Sequence, residues 1–236
     1  MDANSIIKKL KSMESPRDRE GMARFGINPN KTLGISVYKL RDMAKCIGKD
    51  HNLAQQLWAS CIHEARLLAA FIDEPDKVTE RQMDSWVKDF DSWDVCDEVS
   101  TDLFDQTPFA YKKAIEWGSR GEEFVKRAAF ALMAGLSVHD KKAADKEFER
   151  LLPIIKREST DERNFVKKAV NWALRNIGKR NLALNKKAIE IAREIQKINS
   201  KSARWIASDT LRELQSAKVQ ERLKRKLARR NKSADV

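Results

Sequence analysis

Residues 91–99 read DSWDVCDEV, a concentration of acids around one tryptophan in a chain whose formal net charge is +12. If the stretch is helical from Trp93, then Trp93 and Asp97 form an i,i+4 pair and project from one flank. Cys96, Val99 and Leu103 fall on the buried side. An aromatic ring and a carboxylate sharing a flank with no core duty could serve chemistry through the charge of the acid. Asp91, Asp94 and Glu98 have a plainer reading, as solvent-facing charge near the positive end of a helix dipole. That reading fits Asp97 less well, because it lies one turn further in.

Two further residues stand off their helix cores. Over residues 162–177 successive side chains turn by about 100°, which puts Val166, Ala169, Val170, Ala173 and Ile177 in one apolar stripe. Trp172 sits on a flank shared with Phe165 and Lys168. An aromatic beside lysines suits a nucleic-acid groove, and packing against a neighbouring repeat is the alternative. Arg127 lies opposite the stripe of Val125, Ala128, Leu132 and Leu136 and is expected off the core. There its planar fork would meet a phosphate, or an ion pair would tie it to the preceding repeat. His51, His63 and His139 show no metal-ligand spacing and no Ser or Cys partnership, and His63 and Glu64 are expected on an exposed helix edge. No glycine-rich phosphate loop occurs, and no metal or organic cofactor is implied.

The elements that position these residues are helical throughout. Only 8 Gly and 5 Pro interrupt 236 residues, and apolar residues recur at three- and four-residue spacing. Helices are predicted near 3–12, 16–24, 36–47, 51–59, 62–73, 79–89, 93–104, 108–117, 121–135, 141–155, 162–177, 182–198, 201–214 and 217–229. Ser36, Asp50, Thr79, Asp140 and Asp161 are candidate N-caps, and Gly48 and Gly178 candidate left-handed C-caps. HEARLLAAFI, VKRAAFALMAGL, VKKAVNWALRNI and KSARWIASDTL repeat one pattern, a polar start followed by small and then apolar residues. The second and third align without gaps, Lys126-Arg127-Ala128 on Lys167-Lys168-Ala169. Such a period is that of HEAT-type helix pairs, with an ordinary bundle as the alternative. The expected fold is all-α, a curved solenoid of HEAT-like antiparallel helix pairs, forming a single domain over 1–236 with a basic helix or tail at about 217–236.

Charge narrows the partners. Residues 1–118 hold 17 Lys/Arg and 20 Asp/Glu, whereas residues 119–236 hold 30 and 15. A C-terminal half so basic attracts polyanions, either nucleic acid or an anionic membrane. The tail cations Lys218, Arg222, Lys224, Arg225, Lys226, Arg229 and Arg230 read as a solvated helix end or a backbone-binding arm. Cys46, Cys61 and Cys96 form no CxxC pair, so neither a disulfide framework nor a zinc site is signalled. With no signal-peptide pattern and no apolar run of membrane length, a cytoplasmic protein is expected, nucleoid-associated if bacterial.

GISVYKLRDMAK, SWDVCD, FVKRAAFALM and FVKKAVNWALRNIGKRN, in that order, give the chain from about residue 20 to 215 a resemblance to the AlkD-like DNA alkylation repair enzymes. The resemblance implies a cleft in which Trp93, Asp97 and Trp172 are catalytic. It puts DNA contacts at Arg127 and the lysine-rich repeats, here Lys126, Lys168, Arg175, Lys179 and Arg180. It implies excision of cationic N3- or N7-alkylated purines from double-stranded DNA, with Asp97 stabilising the charged sugar and orienting water. A non-catalytic binder of damaged or branched DNA is the alternative. No membrane or obligate protein partner is implied, and a monomer is expected.

Overall fold

The structure, a computed structural model, describes residues 2–234, with side chains described through residue 229. The described residues contain no strand. They form two compact units, one through Ala110 and the other from Tyr111 onward.

The first unit carries α1 (Ala3–Ser12), α2 (Pro16–Arg24), α3 (Val37–Ile47), α4 (His51–Ala59), α5 (His63–Ile72), α6 (Glu80–Trp86) and α7 (Trp93–Asp102). Its core gathers Ile6, Leu10, Leu40, Leu57, Leu68, Ile72 and Met83, each fully buried. α5 packs against α3, α4 and α7, so nearly all its residues lose contact with solvent. Side chains fix the register of these helices. The Glu64 carboxylate, in the first turn of α5, accepts the backbone N–H groups of Leu33, Gly34 and Ile35 at 2.8–3.1 Å, just ahead of α3. Further along, the Arg41 guanidinium of α3 lies 4.4 Å from the Phe71 ring of α5. α3 and α5 therefore run side by side in the same direction, and α7 joins them through the contacts described below.

The second unit carries α8 (Ala110–Trp117, starting at the boundary), α9 (Glu123–His139), α10 (Asp145–Glu149), α11 (Leu152–Glu158), α12 (Asn164–Gly178), α13 (Leu182–Gln196), α14 (Lys201–Leu214) and α15 (Ala217–Ala234). Arg127 reaches the Phe165 carbonyl near the starts of α9 and α12, and Asn176 reaches the Ala134 carbonyl about two turns further along α9 and three along α12. Asn171 bonds Asp209, and Lys179 bonds Glu213, in the same sense between α12 and α14. α9, α12 and α14 are thus parallel neighbours, while short connections make α13 return between α12 and α14. The self-similarity of residues 126–136 and 167–177 is the sequence imprint of this stacking. The predicted stripe holds, since Val166, Ala169, Val170, Ala173 and Ile177 are all buried.

Several local expectations are corrected. The helix predicted over 141–155 is two helices, because Pro153 belongs in the first turn of a helix, where its missing N–H costs nothing, and so starts α11. Asp140 caps a turn, accepting the amides of Lys142 and Ala143, while Asp161 accepts the amide and guanidinium of Arg163; neither is the residue that starts a helix. Ser36 occupies the N-cap position of α3 as expected, but its side chain makes no cap hydrogen bond. Gly178 lies inside α12 and is required for close approach: a Cβ there would come 2.4 Å from Leu214 Cδ1 and 3.0 Å from Ala188 Cβ. Gly48 does end α3 with φ of 81°, and Asp50 and Thr79 cap α4 and α6 as expected.

Candidate nucleic-acid site

In the first unit, Trp93 opens α7 and Asp97 follows one turn later on the same flank, both half-buried, while Cys96, Val99 and Leu103 are fully buried as predicted. The Trp93 indole N–H donates to the Phe25 carbonyl at 3.0 Å, which fixes the ring without using its faces. The Asp97 carbonyl accepts the Thr101 hydroxyl.

Two of the acids beside them, Asp94 and Glu98, are half-buried and engaged rather than solvent-facing. Asp94 lies 2.8 Å from His63 Nε2, and burial would raise its pKa, but the imidazole, Ser92 and the Val95 amide together hold it below the ordinary carboxylate range. Glu98 and Asp102 both accept from Arg41, at 2.5 and 2.8 Å. Burial, reinforced by the neighbouring Asp102, pushes Glu98 up to about 7 against the pull of Arg41. Asp91 is the exposed one, and it accepts from Asn28 at 2.9 Å. His63 and Glu64, expected on an exposed edge, are 4% and 0% exposed, because α5 has neighbours on every side. α7 is consequently clamped to α5 at its first turn and to α3 at its last two.

In the second unit, Trp172 is half-buried on α12 and Lys168 is exposed beside it. Arg127 is a correction: it is 6% exposed, donates to the Phe165 carbonyl at 2.6 Å and sits 6.0 Å from that ring. Helix geometry put it opposite the α9 stripe, but α12 packs on that side as well. Most of the other predicted phosphate contacts are staples between helices. Lys126 pairs with Glu158 and Asp161, Arg175 with Asp209 and Glu213, and Lys179 with Glu213. Arg180 donates to the Ser137 and Ala143 carbonyls and lies 4.3 Å from the Phe148 ring. Sequence reasoning missed the anchoring roles of His63, Glu64 and Arg41, whose partners lie 29 to 61 residues away and leave no local pattern.

Among the described residues no His, Cys, Asp or Glu cluster could hold a metal ion, and no helix is long and apolar enough to cross a membrane.

Residues 6–224 match the family described as DNA alkylation repair enzyme. A search of curated proteins returns no match. A solved structure described as "a new family of proteins related to the HEAT-like repeat DNA glycosylases with affinity for branched DNA structures" superimposes with a TM-score of 0.74 at 20% identity, covering 90% of this chain and 95% of that one. A designed armadillo repeat protein in complex with a (KR)4 peptide reaches 0.36 at 14% identity, over 80% and 88%, a level at which no common fold is claimed. The first likeness, with the parallel stacking of α9, α12 and α14, identifies an all-α fold of HEAT-like repeats.

Proposed function

The chain belongs to the DNA alkylation repair enzyme family, and from that membership we propose that it hydrolyses the N-glycosidic bond of cationic N3- or N7-alkylated purines in duplex DNA. The observation that carries this reading is Asp97, half-exposed on the flank that also bears Trp93, on a helix clamped by His63 and Arg41. A cationic base is already a good leaving group. The remaining demands are to stabilise positive charge growing on the deoxyribose and to orient water, and a fixed carboxylate can do both. The face of Trp93, on the same flank of α7, is suited to attract that charge. Lys168 is the exposed cation for a phosphate, whereas Arg175 and Lys179 would exchange Asp209 and Glu213 for one. The buried Arg127 supports the α9–α12 contact.

A second reading, non-catalytic binding of branched DNA, draws on the description of the similar solved structure. Incubation with methylated duplex DNA separates the two. Excision predicts released 7-methylguanine or 3-methyladenine and a loss of roughly 10²–10³-fold in Asp97→Asn, the usual effect of removing one electrostatic stabiliser. Intact DNA after prolonged incubation with the wild-type protein overturns excision and leaves binding as the activity.

A further inference from the structure

A groove of about 1160 Å3 in the second unit is lined by the ends of α9 and α12, the 141–145 turn, the first turn of α13 and the middle of α15. Lys141, Lys142, Lys179, Arg180, Arg222 and Lys226 line it, with Asp145 as the one carboxylate among the lining residues. Asp145 is already engaged, accepting from Asn181 at 2.8 Å.

Part of this charge has a structural purpose. The last carbonyls of a helix lack internal donors and carry partial negative charge, so cations gather there. Lys226 donates to the Lys179 and Arg180 carbonyls at 3.3 and 3.4 Å, Lys141 donates to the Val138 carbonyl, and Arg180 serves Ser137 and Ala143. Lys179 has Glu213. Carbonyl dipoles satisfy donors without cancelling their charge, however, and two cations have no such duty. Lys142 and Arg222 are exposed and have no carboxylate partner among the described residues. Lys226 is held below its ordinary pKa by burial and by the repulsion of Arg222, Lys141 and Arg180. A concavity with so little compensating acid is stabilised by an entering polyanion, which releases condensed counterions as it binds.

We propose that this groove, which has neither Trp93 nor Asp97 among its lining residues, binds the phosphodiester backbone of nucleic acid. No aromatic side chain lines it, so it offers bases nothing to stack on, and contact with phosphate alone is indifferent to sequence. A lipid surface fits less well. A membrane-seated helix presents a stripe of large apolar residues, whereas Leu227 is the one exposed large hydrophobe among the described residues of α15. Lys179 and Arg180, expected on phosphates from the sequence, line this groove. It contains neither Asp97 nor Trp172, so a protein without excision would keep it.

The test is binding of unmodified duplex DNA by the full chain, wild type against the double variant Lys142→Gln/Arg222→Gln, titrated at several salt concentrations. Removing two phosphate contacts should weaken binding about tenfold at low salt and lower the slope of log affinity against log salt by about two. The thermal midpoint should not move, since both residues are exposed. The same change should appear in an Asp97→Asn background, so failure of excision leaves this result intact. Equal affinity and slope in both proteins overturn the proposal. So does a variant that loses binding to phosphatidylserine vesicles, or to inorganic phosphate alone, while holding DNA as before.

Discussion

His63 Nε2 lies 2.8 Å from a carboxylate oxygen of Asp94, and this bond joins the first turns of α5 and α7. Burial opposes a charged imidazole, but the hydrogen bond and charge of Asp94, aided by Glu64 and Asp91, hold the His63 pKa above its ordinary value. A raised histidine stabilises the fold fully below its unfolded value, and that contribution is lost as pH rises through the folded one. The urea midpoint of the wild-type protein should therefore fall as pH is raised from about 6.5. In His63→Asn the unfolding free energy at pH 6 should be lower by about 3 kcal/mol for a broken buried pair, and the midpoint should lack that decline. Parallel pH profiles for the two proteins would sink the idea.

Glu64 supplies one buried carboxylate to three backbone amides. Glutamine at this position keeps the shape but offers a single acceptor oxygen and puts an NH2 group against N–H donors. Glu64→Gln should cost about 2–3 kcal/mol, the penalty for leaving buried donors unpaired. Hydrogen exchange provides the local check, with the amides of Leu33, Gly34 and Ile35 losing protection ahead of the rest of the unit. If their protection is unchanged, the carboxylate is not what orders this segment.

Arg127 and Lys168 should respond in opposite ways to truncation. Arg127→Ala removes a buried charge-assisted bond to the Phe165 carbonyl and should lower stability by about 2 kcal/mol. Lys168→Ala, on the surface, should leave stability within about 0.5 kcal/mol and weaken DNA binding with a shallower salt slope. Chemical denaturation and salt-dependent binding on both variants distinguish a helix staple from a phosphate contact. Matching stability in the two variants would contradict the burial argument for Arg127.

The sequence by itself determined the helices and the faces they bury. Apolar spacing is a local signal, and it located Cys96, Val99 and Leu103 on the inner side of α7 and the Val166–Ile177 stripe on α12. It also placed Trp93 and Asp97 on one flank, since residues four apart on a helix share a side whatever the tertiary context. The 41-residue self-similarity announced the parallel stacking of α9 and α12. Only the tertiary structure decided which polar residues face solvent. A repeat helix has neighbours on more than one side, so a residue opposite the apolar stripe can still be enclosed, as Arg127, His63 and Glu64 are. Their partners lie 29 to 38 residues away, and pairing at that distance leaves no trace in local periodicity. For the same reason Asp91, Asp94 and Glu98 looked alike in the sequence, whereas Asp94 is tied to His63, Glu98 to Arg41 and Asp91 to Asn28.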